Sequence, residues 1–494
     1  RNAHSGDPVA DNRWDAQYPS IWVTDGGGGT FADVWTPNTF AQAGFTVSDT
    51  KTPGHVYQLS AEHHARNEIV LDGVENWEFL APQTEQEVGE GMDATSLDIR
   101  NSRNLLFANY HSYRVTRTFH PAVSAVKLTN ASDVRFRNVH INAESGFATC
   151  QADGCGTYVR VSKFPFENAI QDRTRHLEVR EREFATLDIP ATPVLAEAPA
   201  AVPGAGPVRK LESGFFSISG AAVDAAGTLY FVEHRFQRIY RWSAATGLEI
   251  VRDAALDPVN LAVERSGKVL VLSSLGAEGS VYAIDPAASK TDVTVITPTP
   301  VAAHRDADTL LPGNWWNNGE FRDQYDARSD HFTTLGEMFA RDAATPKPRE
   351  YVSPDGSLVL PAFRVWQQGT PDHVGWRFSD TLDAYSLVHG RVGTRIYASN
   401  ESEGRTYSAL VGAGGTLSDL KPFAERAGES VAVDAQGRVF IANGQVFVYA
   451  PDGSEIGRID VPERPLQLIF GGTDHATLFI LTHHTLYAVA MRGG

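Results

Sequence analysis

Lysine and cysteine are both scarce. Eight of the 43 basic residues are lysine, and there are only two cysteines, Cys150 and Cys155. Two thiols cannot complete a four-ligand zinc site by themselves. Their spacing around an Asp-Gly turn suits a small disulfide loop as well as two free thiols, and a disulfide would favour export. The chain lacks any apolar run approaching the roughly 18 residues that a spanning helix needs, so membrane insertion is not expected. Positive charge is also short. The net charge of −17 argues against nucleic acid and anionic membranes as partners, because phosphate binding needs clustered Lys and Arg. Asp25-Gly-Gly-Gly-Gly29 completes neither dinucleotide nor P-loop spacing, and no GxSxG or HExxH occurs.

What is present points to a β protein. The 494 residues allow roughly two to four domains, and 42% are hydrophobic, enough for sizeable cores. A coil-like unit occurs three times, as IVLDGVENWEF (69–79), LDIRNSRNLLF (97–107) and VKLTNASDVRF (126–136). Leu71, Ile99 and Leu128 align, as do Gly73, Asn101 and Asn130, then Asn76, Asn104 and Asp133, then Trp77, Leu105 and Val134. The spacing is 28 and then 29 residues. Short alternating strands joined at Asn corners suit a parallel β-helix with Asn ladders. A degenerate further turn is expected from Ile170 to Val179, and 1–60 reads as irregular. So short a solenoid predicts that 1–190 is the C-terminal part of a longer right-handed β-helix. The start, Arg1-Asn2-Ala3, fits a mature or truncated chain.

Residues 191–208 are Ala/Pro/Gly-rich and read as a linker. Beyond them the period changes. Alternating strands with Asp/Gly turns recur at 220–242, 259–274, 353–366, 385–400, 429–453 and 466–489. Blade-like repeats of about 40–45 residues are the signature of a β-propeller. Six copies predict six blades over 209–494, with a strand-poor insertion around 296–350. The fold class expected is all-β, a parallel β-helix segment plus a six-bladed β-propeller.

The propeller repeats resemble the gluconolactonase and senescence-marker-protein (regucalcin) family. AVDAAGTLYF with RIYRW in the first blade and the PDG…VPERP…FGG ending carry the resemblance. The N-terminal part is similar, at the level of fold, to pectate-lyase-like and polygalacturonase-like β-helices. Membership of the propeller family implies a divalent cation, usually calcium, at the top of the central channel. Its ligands would be a Glu before the first VDA strand, Asn residues before later inner strands, and an Asp that also serves as base. Residue by residue, these positions hold Ser219, Val259 (with Asn260 one place off), Tyr385 and Glu429. One carboxylate survives and the other ligand positions are replaced, so no metal ligands are assigned; calcium stays the one open alternative, and no other cofactor is expected.

The same geometry puts Asp257, Asn260, Asp380, Asp383, Tyr385, Glu425, Arg426 and Glu429 at the channel mouth. Glu429 and Asp383 would serve as acid and base, Arg426 as a carboxylate clamp and Tyr385 as a further catalytic group. A structural ion-pair network is the other reading of these residues. Trp315, Trp316, Trp376, Arg377, His373 and Asn260 form a candidate saccharide-binding rim, the alternative being that the tryptophans only pack. In the β-helix, Glu62-His63-His64, Glu90, Asp93, His111 and His120 read as solvated coil faces and corner hydrogen bonds. His483-His484 would place at most one imidazole inward. The expected function is an exported, extracellular or periplasmic, carbohydrate-active enzyme. It would hydrolyse a sugar lactone or cleave a uronic-acid-containing saccharide. The alternative is a non-catalytic saccharide-binding or scaffold protein.

Overall fold

The computed structural model describes residues 18–37, 41–64, 66–87, 95–115, 122–142, 148–151, 154–157, 166–179, 183–191, 201–215, 218–233, 237–253, 256–273, 280–288, 292–300, 307–315, 325–326, 331–332, 350–361, 365–368, 375–378, 386–400, 405–482 and 484–491. Among them the regular structure is β-strand, apart from one 3-10 turn at Ala413–Gly415. No helix among them is long and apolar enough to cross a membrane. The chain divides into two compact units, Arg1–Pro199 and Ala200–Gly494.

The first unit is a parallel β-solenoid of about four turns. One sheet stacks Ile21–Val23, Ala43–Thr50, the first half of Asn67–Leu80, Thr95–Arg100, Ala122–Thr129 and Phe166–Asp172. A second stacks Gly29–Pro37, Gly54–Glu62, the second half of Asn67–Leu80, Arg103–Ala108 and Ser132–Asn142. A third, shorter ladder joins the ends of Gly54–Glu62 and Ser132–Asn142 through Gln83–Glu87 and His111–Val115. Leu71, Ile99 and Leu128 lie in register, as do Trp77, Leu105 and Val134. The repeat alignment is therefore the physical stacking.

Alternation along each strand sends one set of side chains inward. A single rung has no core of its own, so neighbours must supply it. Phe79, Phe107 and Phe136 form one such column, with centroids 4.9 and 5.4 Å apart and rings nearly parallel. Full burial stabilises each by about 1.5–3 kcal/mol. At the corners, Asn76, Asn101, Asn104 and Asn130 adopt left-handed backbone, which Asn tolerates better than most residues. Their carboxamides ladder from rung to rung. Asn104 donates to Asn76 at 2.6 Å, and Asn130 donates to Asn101 at 2.9 Å.

Two expectations change. The stretch 1–60, read as irregular, contributes the rung strands between Ile21 and Glu62. Its rungs are shorter, and Asp25, Asp33, Asp49 and Gln58 take the left-handed corners, so no Asn pattern marks them. The further turn expected at Ile170–Val179 begins as one, since Ile170 stacks parallel on Val126. It then reverses. Leu177–Val179 and Glu183–Ile189 pair antiparallel on the last rungs. An antiparallel strand presents the wrong pattern for another parallel rung and so caps the sheet edge.

The second unit is a propeller of six four-stranded blades. The first blade holds Ile218–Val223, Leu229–Glu233, Arg238–Ser243 and Gly247–Asp253. The second holds Pro258–Val263, Val269–Ser273, Ser280–Ile284 and Val293–Ile296. The fifth holds Ser430–Val433, Val439–Asn443, Gln445–Tyr449 and Glu455–Ile459. The sixth combines Gln467–Gly471, Thr477–Leu481 and Thr485–Ala490 with Arg209–Ser213, a strand from the other end of the unit. The third and fourth depart from simple succession. Asp308–Pro312 lies between Leu358–Pro361 and Leu387–Gly390, and Asn314–Trp315 pairs with Arg395–Asn400. The segment read as a strand-poor insertion thus supplies a strand to each of two blades.

Close packing makes a sharp prediction. A Cβ on Gly54 would lie 2.2–2.4 Å from the Trp77 ring, and Trp77 is buried. Gly54→Ala should destabilise the solenoid by about 1–3 kcal/mol through overpacking. Thermal unfolding should show this as a lowered transition for the first unit, with the propeller transition unmoved.

Candidate functional site

The innermost strands begin at one end of the channel with polar residues. These are Ser219, Asn260, Ser386, Glu429, Ser430 and Gln467, and all are buried. Their hydrogen bonds run mainly between blades. Gln467 of the sixth blade accepts from the Ala221 N–H of the first at 2.7 Å and donates to its carbonyl at 3.2 Å. The Ser430 hydroxyl of the fifth accepts from the Leu468 N–H of the sixth at 3.0 Å. Between the first and second blades there is no room for a side chain. Gly220, at φ 64°, would place a Cβ 2.8 Å from the Val259 carbonyl and 3.0 Å from Asn260 Cα. The inner strands bulge at these points, between Ser219 and Ala222 and between Pro258 and Asn260.

Glu429 is fully buried and forms an ion pair with Arg464, which is 2% exposed. The guanidinium Nε donates to Oε1 of the carboxylate. Burial pushes the Glu429 carboxyl above its ordinary range, and the Arg464 charge opposes this. Beside it, Glu463 accepts from the hydroxyls of Thr482 and Thr485, each at 2.6 Å, and from the His484 N–H at 3.2 Å. Arg464 and Glu463 were missed as functional candidates, although VPERP contains both. Their role depends on a fold-back of the loop that sequence spacing does not show.

The other expected residues divide in three ways. Arg426 is not a channel clamp. It stacks over the Phe447 ring at 3.4 Å and bonds the Tyr449 hydroxyl at 2.9 Å and Glu455 at 3.5 Å. These partners lie on the outer strands of the fifth blade, where a cation–π contact holds the guanidinium. Glu425 pairs outward with Arg405 at 2.7 Å. Asn260 is 1% exposed, and its side-chain oxygen accepts from the Leu261 N–H, so it packs where an open binding group was expected. Trp315 lies on strand Asn314–Trp315, and Trp376 and Arg377 lie on Gly375–Phe378, which pairs with Val365–Gln368. Asp380, Asp383, Tyr385, Trp316 and His373 fall outside the described residues, as do Glu90, Asp93, His120 and His483. His64 of the solenoid is not solvated but buried, with Nδ1 2.5 Å from Glu68.

Among the described residues, the positions that the resemblance assigns to calcium do not fit it. It takes six to eight oxygen ligands. Here Val259 is apolar, Ser219 replaces a carboxylate, and the guanidinium of Arg464 already meets Glu429. Further along the inner strands is a cavity of about 240 Å³, lined by Ala222, Asp224, Leu261, Leu310, His389 and Phe470 among others. His389 lines the cavity with an exposed side chain, and desolvation by the surrounding channel wall holds its imidazole below the ordinary value.

The geometry defines a six-bladed propeller with a small, partly open channel cavity. The model of the SMP-30/gluconolactonase/LRE-like region matches residues 391–484. Among solved structures, a gluconolactonase from Xanthomonas campestris is 15% identical, covering 59% of this chain and 91% of that chain at TM-score 0.34. A regucalcin described as calcium-binding, from Agrobacterium tumefaciens, is 17% identical, covering 59% and 96% at TM-score 0.36. A virginiamycin B lyase from Staphylococcus aureus is 9% identical, covering 58% and 98% at TM-score 0.32. No curated protein matches the chain.

The buried pair yields its own test. Arg464→Ala should cost about 3–5 kcal/mol, because it leaves a buried carboxylate without its cation. Replacing both partners, as Glu429→Leu with Arg464→Met, should cost less than either single change. Denaturant unfolding of the three variants checks this. A double variant as unstable as the sum of the singles would contradict it.

Proposed function

We propose that the propeller is a carbohydrate-active module of gluconolactonase type, taking a sugar lactone or a uronic-acid-containing saccharide in its channel. The observation that carries this reading is the family match over 391–484, which spans Glu429 and Arg464. The channel cavity, which neither Glu429 nor Arg464 lines, bears on the size of the ligand alone. At about 240 Å³ it is smaller than the roughly 300–1,000 Å³ of pockets for larger ligands, and suits a single sugar ring. In the enzymatic form of the proposal, Glu429 parts from Arg464 when substrate enters. Its carboxylate then takes a proton from the water attacking the lactone carbonyl, Arg464 meets the charge developing on the carbonyl oxygen, and the ring C–O bond breaks as Glu429 returns the proton to the leaving alkoxide.

One observation favours a second reading. The Glu429–Arg464 pair is sealed from solvent, which suits a non-catalytic saccharide binder whose carboxylate is retained for structure. Export belongs to either form of the proposal. Cys150 lies opposite Cys155 across the hairpin of Ala148–Gln151 and Gly154–Thr157, a backbone placement that supports an oxidised pair.

Gluconolactone and the full chain separate the two. The enzyme should release acid in a pH-stat above the spontaneous rate, and Glu429→Gln should lower that rate by about 10²–10⁴-fold. A binder should give calorimetric heat with no acid release, and the absence of both signals would remove both readings. Millimolar calcium should leave the melting temperature unchanged, since a cation that does not bind the native state cannot stabilise it.

A further inference from the structure

The solenoid carries a group of side chains that the propeller's chemistry does not use. Glu62 ends strand Gly54–Glu62, His63 follows it, and Glu85 lies in Gln83–Glu87 on the next rung. The parallel register sets Glu62 directly beside Glu85. Nε2 of His63 is 3.7 Å from Oε1 of Glu85. One donor atom from each of the three residues lies within 4.8 Å of the other two.

Neighbours orient these donors. The Tyr113 hydroxyl donates to Oε2 of Glu85 at 2.5 Å, which leaves Oε1 facing His63. Ser60 and Gln83 donate to Oε1 of Glu62 at 2.6 and 3.1 Å. The His63 backbone is held at φ 64°, and its N–H donates to the Glu85 carbonyl at 3.0 Å. The His63 and Glu85 side chains are only 10% and 15% exposed.

Two carboxylates in register on adjacent rungs repel each other. Among the described residues, neither forms an ion pair with lysine or arginine. A cation between them removes the repulsion, and the imidazole supplies a nitrogen donor that an ordinary acidic patch lacks. We infer that Glu62, His63 and Glu85 bind a divalent transition-metal ion, with water completing its coordination. One nitrogen and two carboxylate oxygens suit zinc, cobalt or manganese better than calcium, which takes oxygen ligands throughout. Tetrahedral zinc, with bonds of about 2.1 Å, sets its donors about 3.4 Å apart. The His63–Glu85 pair is close to that separation, and rotation of the Glu62 side chain brings in the third ligand. Tyr113 then serves as the outer hydrogen bond that fixes a ligating carboxylate.

Cobalt(II) titrated into the chelator-stripped full chain tests this inference. One equivalent should saturate a visible ligand-field absorption, and zinc should displace it. The band should vanish in Glu85→Gln and in His63→Asn, the latter chosen because Asn tolerates the left-handed backbone. Tyr113→Phe should weaken cobalt affinity by about 10–100-fold. His55→Ala, which alters an exposed histidine of the same unit, should leave it unchanged. Zinc should raise the melting temperature of the parent chain but not of the two ligand variants. Circular dichroism reports whether each variant is folded. The inference is overturned if no band forms at stoichiometric cobalt, or if the band survives in folded Glu85→Gln or His63→Asn.

Discussion

Residues held in the left-handed backbone region govern both halves of this molecule. A repeat can stack on its neighbour only if the chain turns at the same place in every copy. In the solenoid that turn is made by Asn and Asp. Asn101 and Asn130 occupy one corner, and Asn104 and Asp133 the next. The propeller makes its turn at glycine. Asp224 accepts from the backbone of Ala226 and Thr228, closing a loop over Gly227, and Asp434 does the same for Gln436 and Arg438 over Gly437. The inward faces align because these corners recur. Each column of apolar side chains then removes its neighbours from water.

At the channel, one set of positions serves two possible purposes. The start of an inner strand can point a polar group at a ligand, or it can tie one blade to the next. In this chain Gln467 and Ser430 tie blades together, while Glu429 is locked to Arg464 in the loop that leads into the sixth blade. A buried ion pair of this kind contributes modestly to net stability but strongly disfavours loss of one partner. The ring is thereby closed by polar contacts in places where the family resemblance implies cation ligands.

Much of the fold was legible in the sequence because repetition is visible without coordinates. The alignment of Leu71 with Ile99 and Leu128 is a true register, and the Asn corners mark themselves. The rungs between Ile21 and Glu62 were hidden by a shorter period and by corners built on Asp and Gln. The third and fourth blades were misread because Asp308–Pro312 pairs with strands from 358–361 and 387–390, and no local pattern encodes so distant a partner. The site was less legible than the fold. Glu429 could be picked out by its place before VAVD, but Arg464 is brought to it by the return of a loop. Arg426 looked available from its position, and only the three-dimensional neighbours show it lying on Phe447. The pairing of Glu62 with Glu85 depends on the rung length, which the repeat units did not cover.

The sixth blade takes its outer strand, Arg209–Ser213, from the opposite end of the unit, with Arg209 opposite Ala488. This has a consequence for how the ring comes to exist. During synthesis Arg209–Ser213 emerges early and waits, its edge unsatisfied, until Thr485–Ala490 has been made. The first, second and fifth blades can form from local hairpins, but the circle cannot shut until Thr485–Ala490 has been made. Closure is thus a late event of high contact order, and late, non-local pairing is slow. Until it happens the nascent chain exposes strand edges that invite pairing with other chains. Such a ring is complete or open, with little between, and the pairing of Arg209–Ser213 with Thr485–Ala490 decides which.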